Sequence, residues 1–474
     1  MKNTSYVSSE DKNTKRRELS TLHNNRPFAR DMVFVVLSHG KHQTIQAQQL
    51  RDDLQNQARE MNEEAPTVHL AHEEFPHPGA WTVFPILSRL SALHGTNSSW
   101  VFFCESYTKI ILKKVIKYFG KYNPSEELWI GHALYDREPT IIHHFAFIEN
   151  TQQFKYPYFG SGFAMSNTLL RRLSSRLAHE DFTNREFSID PSHELALFVW
   201  DNGRGPALKH MRHLCLTQQS HCASFPQAFQ PCGEPVERES IYFGVKTCGK
   251  FHKDRIPVVK KTWAKYATNI GFYSDIKDPA IPTINLGVPN TENGHCGKTF
   301  AILNDVALKA KTTPAIKWVV IADDDTIMSV ARLQQLLSCF DPSEAVALGE
   351  RYGYNVHHQH LGYNYITGGG GMVFSIELVF KIVRSKECRC PSISTPDDMF
   401  LGICLARLGV PIIHSPSFHQ ARPSDYAPEY LINQKPVSFH KHWMVNPVEV
   451  YNKWFAAVDQ QLDIFQPTHR HAEL

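Results

Sequence analysis

Residues 318–328 read Trp-Val-Val-Ile-Ala-Asp-Asp-Asp-Thr-Ile-Met. An apolar run without polar interruption, ending at 322, suits a strand buried on both faces. The aspartates Asp323, Asp324 and Asp325 then stand at the strand's C-terminal end, where open α/β sheets hold their ligands. Three adjacent carboxylates repel one another, and a hard divalent cation with oxygen ligands relieves that repulsion. The alternative is an acidic turn capping a helix that starts near Ser329. Capping needs one Asp, so the triplet predicts a metal-binding strand end in an α/β sheet.

Working outward, apolar runs at 31–38 and 241–247 each predict a strand that opens a domain. Between them, 216–238 is rich in Gln, Cys, Pro and Glu, lacks an apolar period and reads as a linker. Strand patterns alternate with helical ones, such as 329–339 and 399–408, which predicts α/β architecture with a mostly parallel sheet. Three blocks recur in the same order, 100–110 with 318–328, 155–166 with 362–375, and 189–197 with 394–401. Ordered self-similarity predicts two copies of one fold. The expected organisation is a polar tail (1–30), an N-terminal domain (31–215), the linker (216–238) and a C-terminal domain (239–474). The acidic residues are compared separately, Asp323, Asp324 and Asp325 with Cys104, Glu105 and Ser106, and Asp397 and Asp398 with His193 and Glu194. The first copy has lost most of the carboxylates and is expected to be non-catalytic.

The 474 residues are 42% apolar and 20% charged, which excludes a disordered, collagen-like or disulfide-dense chain. A net charge of +3 offers no electrostatic footprint for nucleic acid. No run approaches the roughly 18 apolar residues of a membrane span. The 26 His would make the chain cationic at mildly acidic pH. The first 30 residues are polar and show no apolar core of a signal peptide. Other features point to the secretory pathway. The sequence ends His471-Ala472-Glu473-Leu474, a variant of the ER-retrieval signal that a receptor reads. Asn97-Ser98-Ser99 and Asn3-Thr4-Ser5 are N-glycosylation acceptors, and ten Cys suit disulfides in an oxidising lumen. Ten Cys allow too many pairings to choose among, and Cys388-Arg389-Cys390 has no second pair at zinc spacing. The expected location is the ER lumen, with the signal peptide not present in this chain.

The second half carries further chemistry. Gly368, Gly369, Gly370 and Gly371 permit close approach of backbone to a ligand; they lie between an aromatic strand (Tyr363, Tyr365) and an expected helix from Met372 onward. Their spacing matches neither Walker nor Rossmann loops. Pro396-Asp397-Asp398 opens a helix, where an Asp is fixed in position and can accept a proton from a hydroxyl; one of the pair can instead be an N-cap. His440 can complete a mixed oxygen/nitrogen shell for Mn²⁺, and His442 is equally available. Lys246, Thr247, His252 and Arg255 follow the first strand and suit a diphosphate, against the alternative of a solvated basic surface. Together these residues predict metal-assisted transfer from a diphosphate donor, with a carboxylate base for an alcohol acceptor.

As an ordered set, Lys246-Thr247, His252, Arg255, Thr262-Trp263, Asp323-Asp324-Asp325, the glycine run, Asp397-Asp398 and Ser438-Phe439-His440 resemble the fringe-like and core-1-type β1,3-glycosyltransferases over most of 240–455. Stretches outside that set, including 97–104, 140–144, 295–303, 348–354 and 418–423, resemble the branch of the family that glucosylates O-linked fucose. The resemblance implies two tandem GT-A-like (Rossmann-like) domains, the N-terminal one degenerate and the C-terminal one catalytic. It implies an inverting enzyme with UDP-glucose as donor and Mn²⁺ or another divalent cation as cofactor. The implied partners are folded, O-fucosylated thrombospondin type 1 repeat proteins and, through the tail, the ER-retrieval receptor. By position, Asp325, Asp323 and His440 would hold the metal and Asp398 would be the base. Lys246, Thr247, Arg255, Asp275, Asp323 and Asp324 would surround the sugar nucleotide, with Gly369 and Gly370 behind the donor sugar. Two alternatives stay open: a sister enzyme using UDP-GlcNAc or UDP-galactose, and a non-enzymatic glycan-binding module.

Overall fold

The computed structural model describes residues 28–179, 186–357 and 362–464. Asn3 and the 471–474 tail lie outside these residues. The protein is mixed α/β, built on two six-stranded sheets. The first contains β1 (Met32–Leu37), β2 (Thr67–Leu70), β3 (Trp100–Glu105), β4 (Trp129–Gly131), β5 (Phe163–Ser166) and β6 (Lys209–His210), in the order β2-β1-β3-β5-β4-β6. The second contains β7 (Ile241–Lys246), β8 (Asn269–Tyr273), β9 (Trp318–Asp323), β10 (Ala347–Gly349), β11 (Met372–Ser375) and β12 (Ile412–His414), in the order β8-β7-β9-β11-β10-β12.

Order and direction match strand for strand. In each sheet three neighbouring pairs are parallel, and the fourth strand in order (β5 or β11) runs against both its neighbours. The sheets are therefore mixed rather than mostly parallel. The reversal comes from a segment expected to be helical. Met372–Ser375 is β11, and the helix begins only at Ile376, with the Ser375 hydroxyl accepting from Leu378 N as its cap. A short apolar run does not distinguish a strand from a first helical turn.

β1, β7 and the apolar part of β9 are buried on both faces, as their unbroken Val, Ile and Phe content requires. The turn after β9 is locked by Thr326, whose Oγ1 accepts from Asp323 N at 3.1 Å and donates to Gly369 O at 2.9 Å. Thr108 does the same after β3, accepting from Glu105 N at 3.1 Å and donating to Gly160 O at 3.0 Å. This equivalence moves the comparison of the two halves by one residue. The counterparts of Asp323, Asp324 and Asp325 are Glu105, Ser106 and Tyr107, not Cys104, Glu105 and Ser106.

The 216–238 stretch carries structure of its own. Ser224–Pro226 pairs antiparallel with Thr108–Ile110, Cys215 is bonded to Cys222, and Cys232 to Cys339. Cys296–Cys390 and Cys388–Cys404 complete four disulfides, and Cys104 and Cys248 remain buried thiols. The halves meet across a strand pair, Phe187–Ser188 with Arg351–Tyr354. Beside it the buried Trp81 donates from Nε1 to Asn364 Oδ1 at 3.0 Å, with the Arg351 guanidinium 4.3 Å over its ring.

Removing that indole takes a large buried side chain, a hydrogen bond and a cation–π partner from the junction. Trp81→Ala is expected to cost about 3–5 kcal/mol in urea unfolding, and an unchanged midpoint would show that the junction does not depend on it.

Candidate active site

β7 and β9 end side by side, with Lys246 opposite Asp323 in register. The Lys246 side chain is buried, with Nζ 3.0 Å from Asp323 Oδ1 and 2.7 Å from Asp397 Oδ2. Burial alone would lower its pKa, but the two carboxylates outweigh it and keep the ammonium charged. Thr299 Oγ1 also donates to Asp397 Oδ2, at 2.5 Å. Thr247 Oγ1 donates to Asp324 Oδ2 at 2.7 Å, and Arg255 Nη1 reaches Asp324 Oδ1 at 2.8 Å and Asp325 Oδ2 at 3.0 Å.

His440 comes from a different element. Its strand, Ser438–His440, pairs with Thr326–Met328, placing His440 opposite Thr326. Its Nε2 lies 3.0 Å from Asp325 Oδ1 and 4.0 Å from Asp323 Oδ2, while Nδ1 lies 3.0 Å from Gln420 O. The ligand atoms of Asp323, Asp325 and His440 all fall within 4.8 Å of one another. Two carboxylates and an imidazole whose other nitrogen is held by a carbonyl form a donor set that fits Mn²⁺ or a similar divalent cation. Burial raises the Asp325 carboxyl, but His440 and Arg255 hold it well below the usual range.

Gly369 and Gly370 form the wall of this site. A Cβ on Gly369 would lie 2.3 Å from His440 Nδ1, so no side chain fits there. Gly370 N donates to Gln420 Oε1 at 2.9 Å. Gly368 N approaches Asp398 Oδ2 at 3.3 Å, and Met399 N donates to Asp398 Oδ1 at 2.7 Å. Neither aspartate is the N-cap of the helix Asp397–Arg407, which Pro396 begins without a side-chain bond. Asp397 is instead turned to Lys246 and Thr299. Burial first, and then the neighbouring Asp397 charge, raise the Asp398 carboxyl above its ordinary value. Asp397 moves the other way: burial would raise it, but Lys246 and Thr299 outweigh that. Opposite shifts in adjacent carboxyls give one a charge-holding role and leave the other suited to proton transfer near neutral pH.

Other residues singled out in the sequence stand further out. Asp275 accepts from Gly249 N at 2.9 Å and so supports the loop after β7. His252 is engaged by Asp278 at 3.1 Å and Ser274 at 2.8 Å, away from the metal-type cluster. His442 Nε2 is buried without a hydrogen-bond partner and does not join Asp323, Asp325 and His440. Asn97 is exposed in a turn. Three contributors were not anticipated. Lys298 Nζ donates to Thr247 O at 2.8 Å and to Asn290 Oδ1 at 2.9 Å, Thr299 anchors Asp397, and Gln420 orients both Gly370 and His440. The first two open the helix Cys296–Thr312 within a Gly-Lys-Thr sequence after a loop, a pattern that could have marked them.

The description of the Fringe-like family matches residues 236–469, which hold the whole cluster. A β1,3-glucosyltransferase of Homo sapiens is 48% identical over 432 residues, covering 90% of this chain and 86% of that protein. Its Mus musculus counterpart is 48% identical over 434 residues, 91% and 88%. The chain belongs to the Fringe-like β1,3-glucosyltransferase family. It is a glycosyltransferase. Within the wider family, the lunatic fringe β1,3-N-acetylglucosaminyltransferase of Homo sapiens is 27% identical over 215 residues, 40% of this chain and 55% of that one. Among the described residues no helix is long and apolar enough to cross a membrane.

Two outcomes are expected from the site as built. Gly369→Ala pushes His440 off its position and should weaken Mn²⁺ binding by about 10–100-fold in calorimetry, with unaltered affinity showing that the wall has slack. Asp398 must be ionised to take a proton, so activity is lost as pH falls through its raised pKa. The acidic limb of kcat/KM is therefore expected well above pH 4, the ordinary aspartate value being about 3.9, and a limb at pH 4 would point to another base.

Proposed function

We propose that this protein is an inverting β1,3-glucosyltransferase that moves glucose from UDP-glucose to the 3-hydroxyl of O-linked fucose on folded thrombospondin type 1 repeats. The 48% identity to β1,3-glucosyltransferases over 90% of the chain carries the reading, and the convergence of Asp398, Lys246 and the Asp323–Asp325–His440 set supports it. The C-terminal half is the catalytic GT-A-like domain, and the N-terminal half a degenerate copy of it. The first unit runs through Ser224–Pro226, since that strand pairs back onto it. The ER lumen is the proposed location, with the 471–474 tail read by the retrieval receptor and Asn97 exposed for glycosylation.

A divalent cation held by Asp323, Asp325 and His440 would supply neutralisation of the diphosphate leaving group. Lys246, Thr247 and Arg255 line the same end of the sheet and position the nucleotide. Asp275 reaches it through the loop that it braces, and Gly369 and Gly370 let the donor sugar lie against backbone. The acceptor oxygen attacks the anomeric carbon from the face opposite UDP. The C–O bond to UDP breaks as the bond to the fucose oxygen forms, and the hydroxyl proton passes to Asp398. The anomeric carbon gains oxocarbenium character on the way. One displacement converts an α-linked donor into a β-linked product, so no covalent nucleophile is needed.

A second donor is favoured by one observation, the likeness to an N-acetylglucosaminyltransferase. Purified protein with Mn²⁺ and an O-fucosylated repeat should add a hexose from UDP-glucose alone. Addition from UDP-GlcNAc or UDP-galactose would move the protein to a sister activity. Asp325→Ala, or excess EDTA on the unaltered protein, should abolish transfer, and persistence in EDTA would remove the metal from the mechanism. Asp398→Asn should lower turnover by about 10²–10⁴-fold while UDP and Mn²⁺ still bind; loss of nucleotide binding would make Asp398 a structural residue.

A further inference from the structure

The first half keeps the strand-end architecture of the active site and retains only one carboxylate of its Asp triplet and lysine. Glu105 stands where Asp323 does, Tyr107 where Asp325 does, and Leu37 where Lys246 does. The position of His440, opposite the locking threonine of the turn, is held by Pro226 opposite Thr108. At these positions no set of carboxylates and imidazole like Asp323, Asp325 and His440 is left, and Leu37 offers no ammonium for a diphosphate.

The space itself has not closed. A cleft of about 760 Å³ opens at this strand end, between the halves, and Ser106, Tyr107, Thr108 and Pro226 all line it. Its walls mix apolar side chains, among them Leu50, Leu336 and Phe340, with uncharged polar ones, and the exposed Lys435 is their one cation outside an ion pair. Gln43, Gln46 and Gln49 recur every three residues on the helix Lys41–Glu60 and all face it. Gln227, whose N–H donates to Tyr107 O at 2.9 Å, and Gln230 also line it, and Phe229 and Tyr107 add aromatic surface. The cleft's Asp53 and Lys109 neutralise each other at 2.9 Å. Amide side chains carry both donors and acceptors without charge, and aromatic rings offer flat apolar faces. A concave site that combines the two recognises a neutral ligand rich in hydroxyls.

We propose that this cleft is a second, non-catalytic carbohydrate site that binds neutral hexose oligosaccharides. It would retain on the enzyme a glycoprotein already carrying sugar, whichever donor the other half uses. Two sources share the ligand chemistry, the disaccharide that transfer creates and a separate mannose-containing glycan.

The test is ligand-observed NMR and calorimetry on the full chain carrying Asp325→Ala, with the Glcβ1,3Fuc disaccharide in one arm and a trimannoside in the other. Saturable binding of either, unaffected by EDTA or UDP and weakened at least ten-fold by adding Gln46→Ala and Gln49→Ala, is expected, and the arm that binds names the source. Those two substitutions lie on the face of a surface helix, and an unchanged thermal midpoint would establish that the fold is intact. Absence of binding in both arms would overturn the proposal. So would binding that UDP displaces, or binding that the glutamine substitutions leave unchanged, because the catalytic pocket would then be the site. Loss of transfer activity bears on the other half and leaves this result readable.

Discussion

The Lys246 ammonium, buried between Asp323 and Asp397, holds three elements in one arrangement: the end of β7, the end of β9 and the start of the helix Asp397–Arg407. Five carboxylates meet in this corner, and their mutual repulsion would open it if they stood alone. Lys246, Arg255 and His440 offset that repulsion from three sides. A buried ion cluster is stable only when each charge is paired and its hydrogen bonds are complete, which is why Thr247 and Thr299 are also drawn in. The placement of the helix start that carries Asp398, relative to the Asp323–Asp325–His440 set, therefore follows charge balance as much as packing.

The first half makes the same point by contrast. Its sheet has the same order and directions, and its turn after β3 is tied by the same threonine bonds. With the Lys246 position occupied by Leu37, nothing there balances a carboxylate cluster. Scaffold geometry follows from strand patterning and a few backbone-locking hydroxyls. The charged side chains are a thin layer laid over it, and the first half carries the same scaffold with other side chains in those places.

Much of this was legible in the residue order. The opening strands, the Asp triplet at a strand end and a helix starting near Ser329 all follow from local patterns whose physics is local; the cap of that helix is Ser329 itself and not an aspartate. The metal-type set was legible only in part, because His440 joins Asp325 through a strand pairing across 115 positions of sequence. Met372–Ser375 was misread because a run of three apolar residues before a serine satisfies either period. The register between halves is legible too, since 100–110 against 318–328 sets Asp323 opposite Glu105 and Thr326 opposite Thr108, and the hydrogen bonds of the two threonines hold that register. Thr299 and Gln420 act on segments 98 and 20 or 50 positions away, and of the unanticipated residues only Lys298 and Thr299 carry a local signal, the Gly-Lys-Thr at the helix start.

The disulfides around the second half overlap in sequence. Cys232–Cys339, Cys296–Cys390 and Cys388–Cys404 together leave no peptide bond between 232 and 404 outside at least one covalent ring. A single backbone cut anywhere in that interval leaves both fragments joined. Such a nicked molecule would keep its Asp triplet and its paired Asp397 and Asp398 on one connected body, and it would migrate as an intact chain until a reductant released the pieces. The segment before 232 has only the local Cys215–Cys222 ring, so a cut between its strands is held by packing alone.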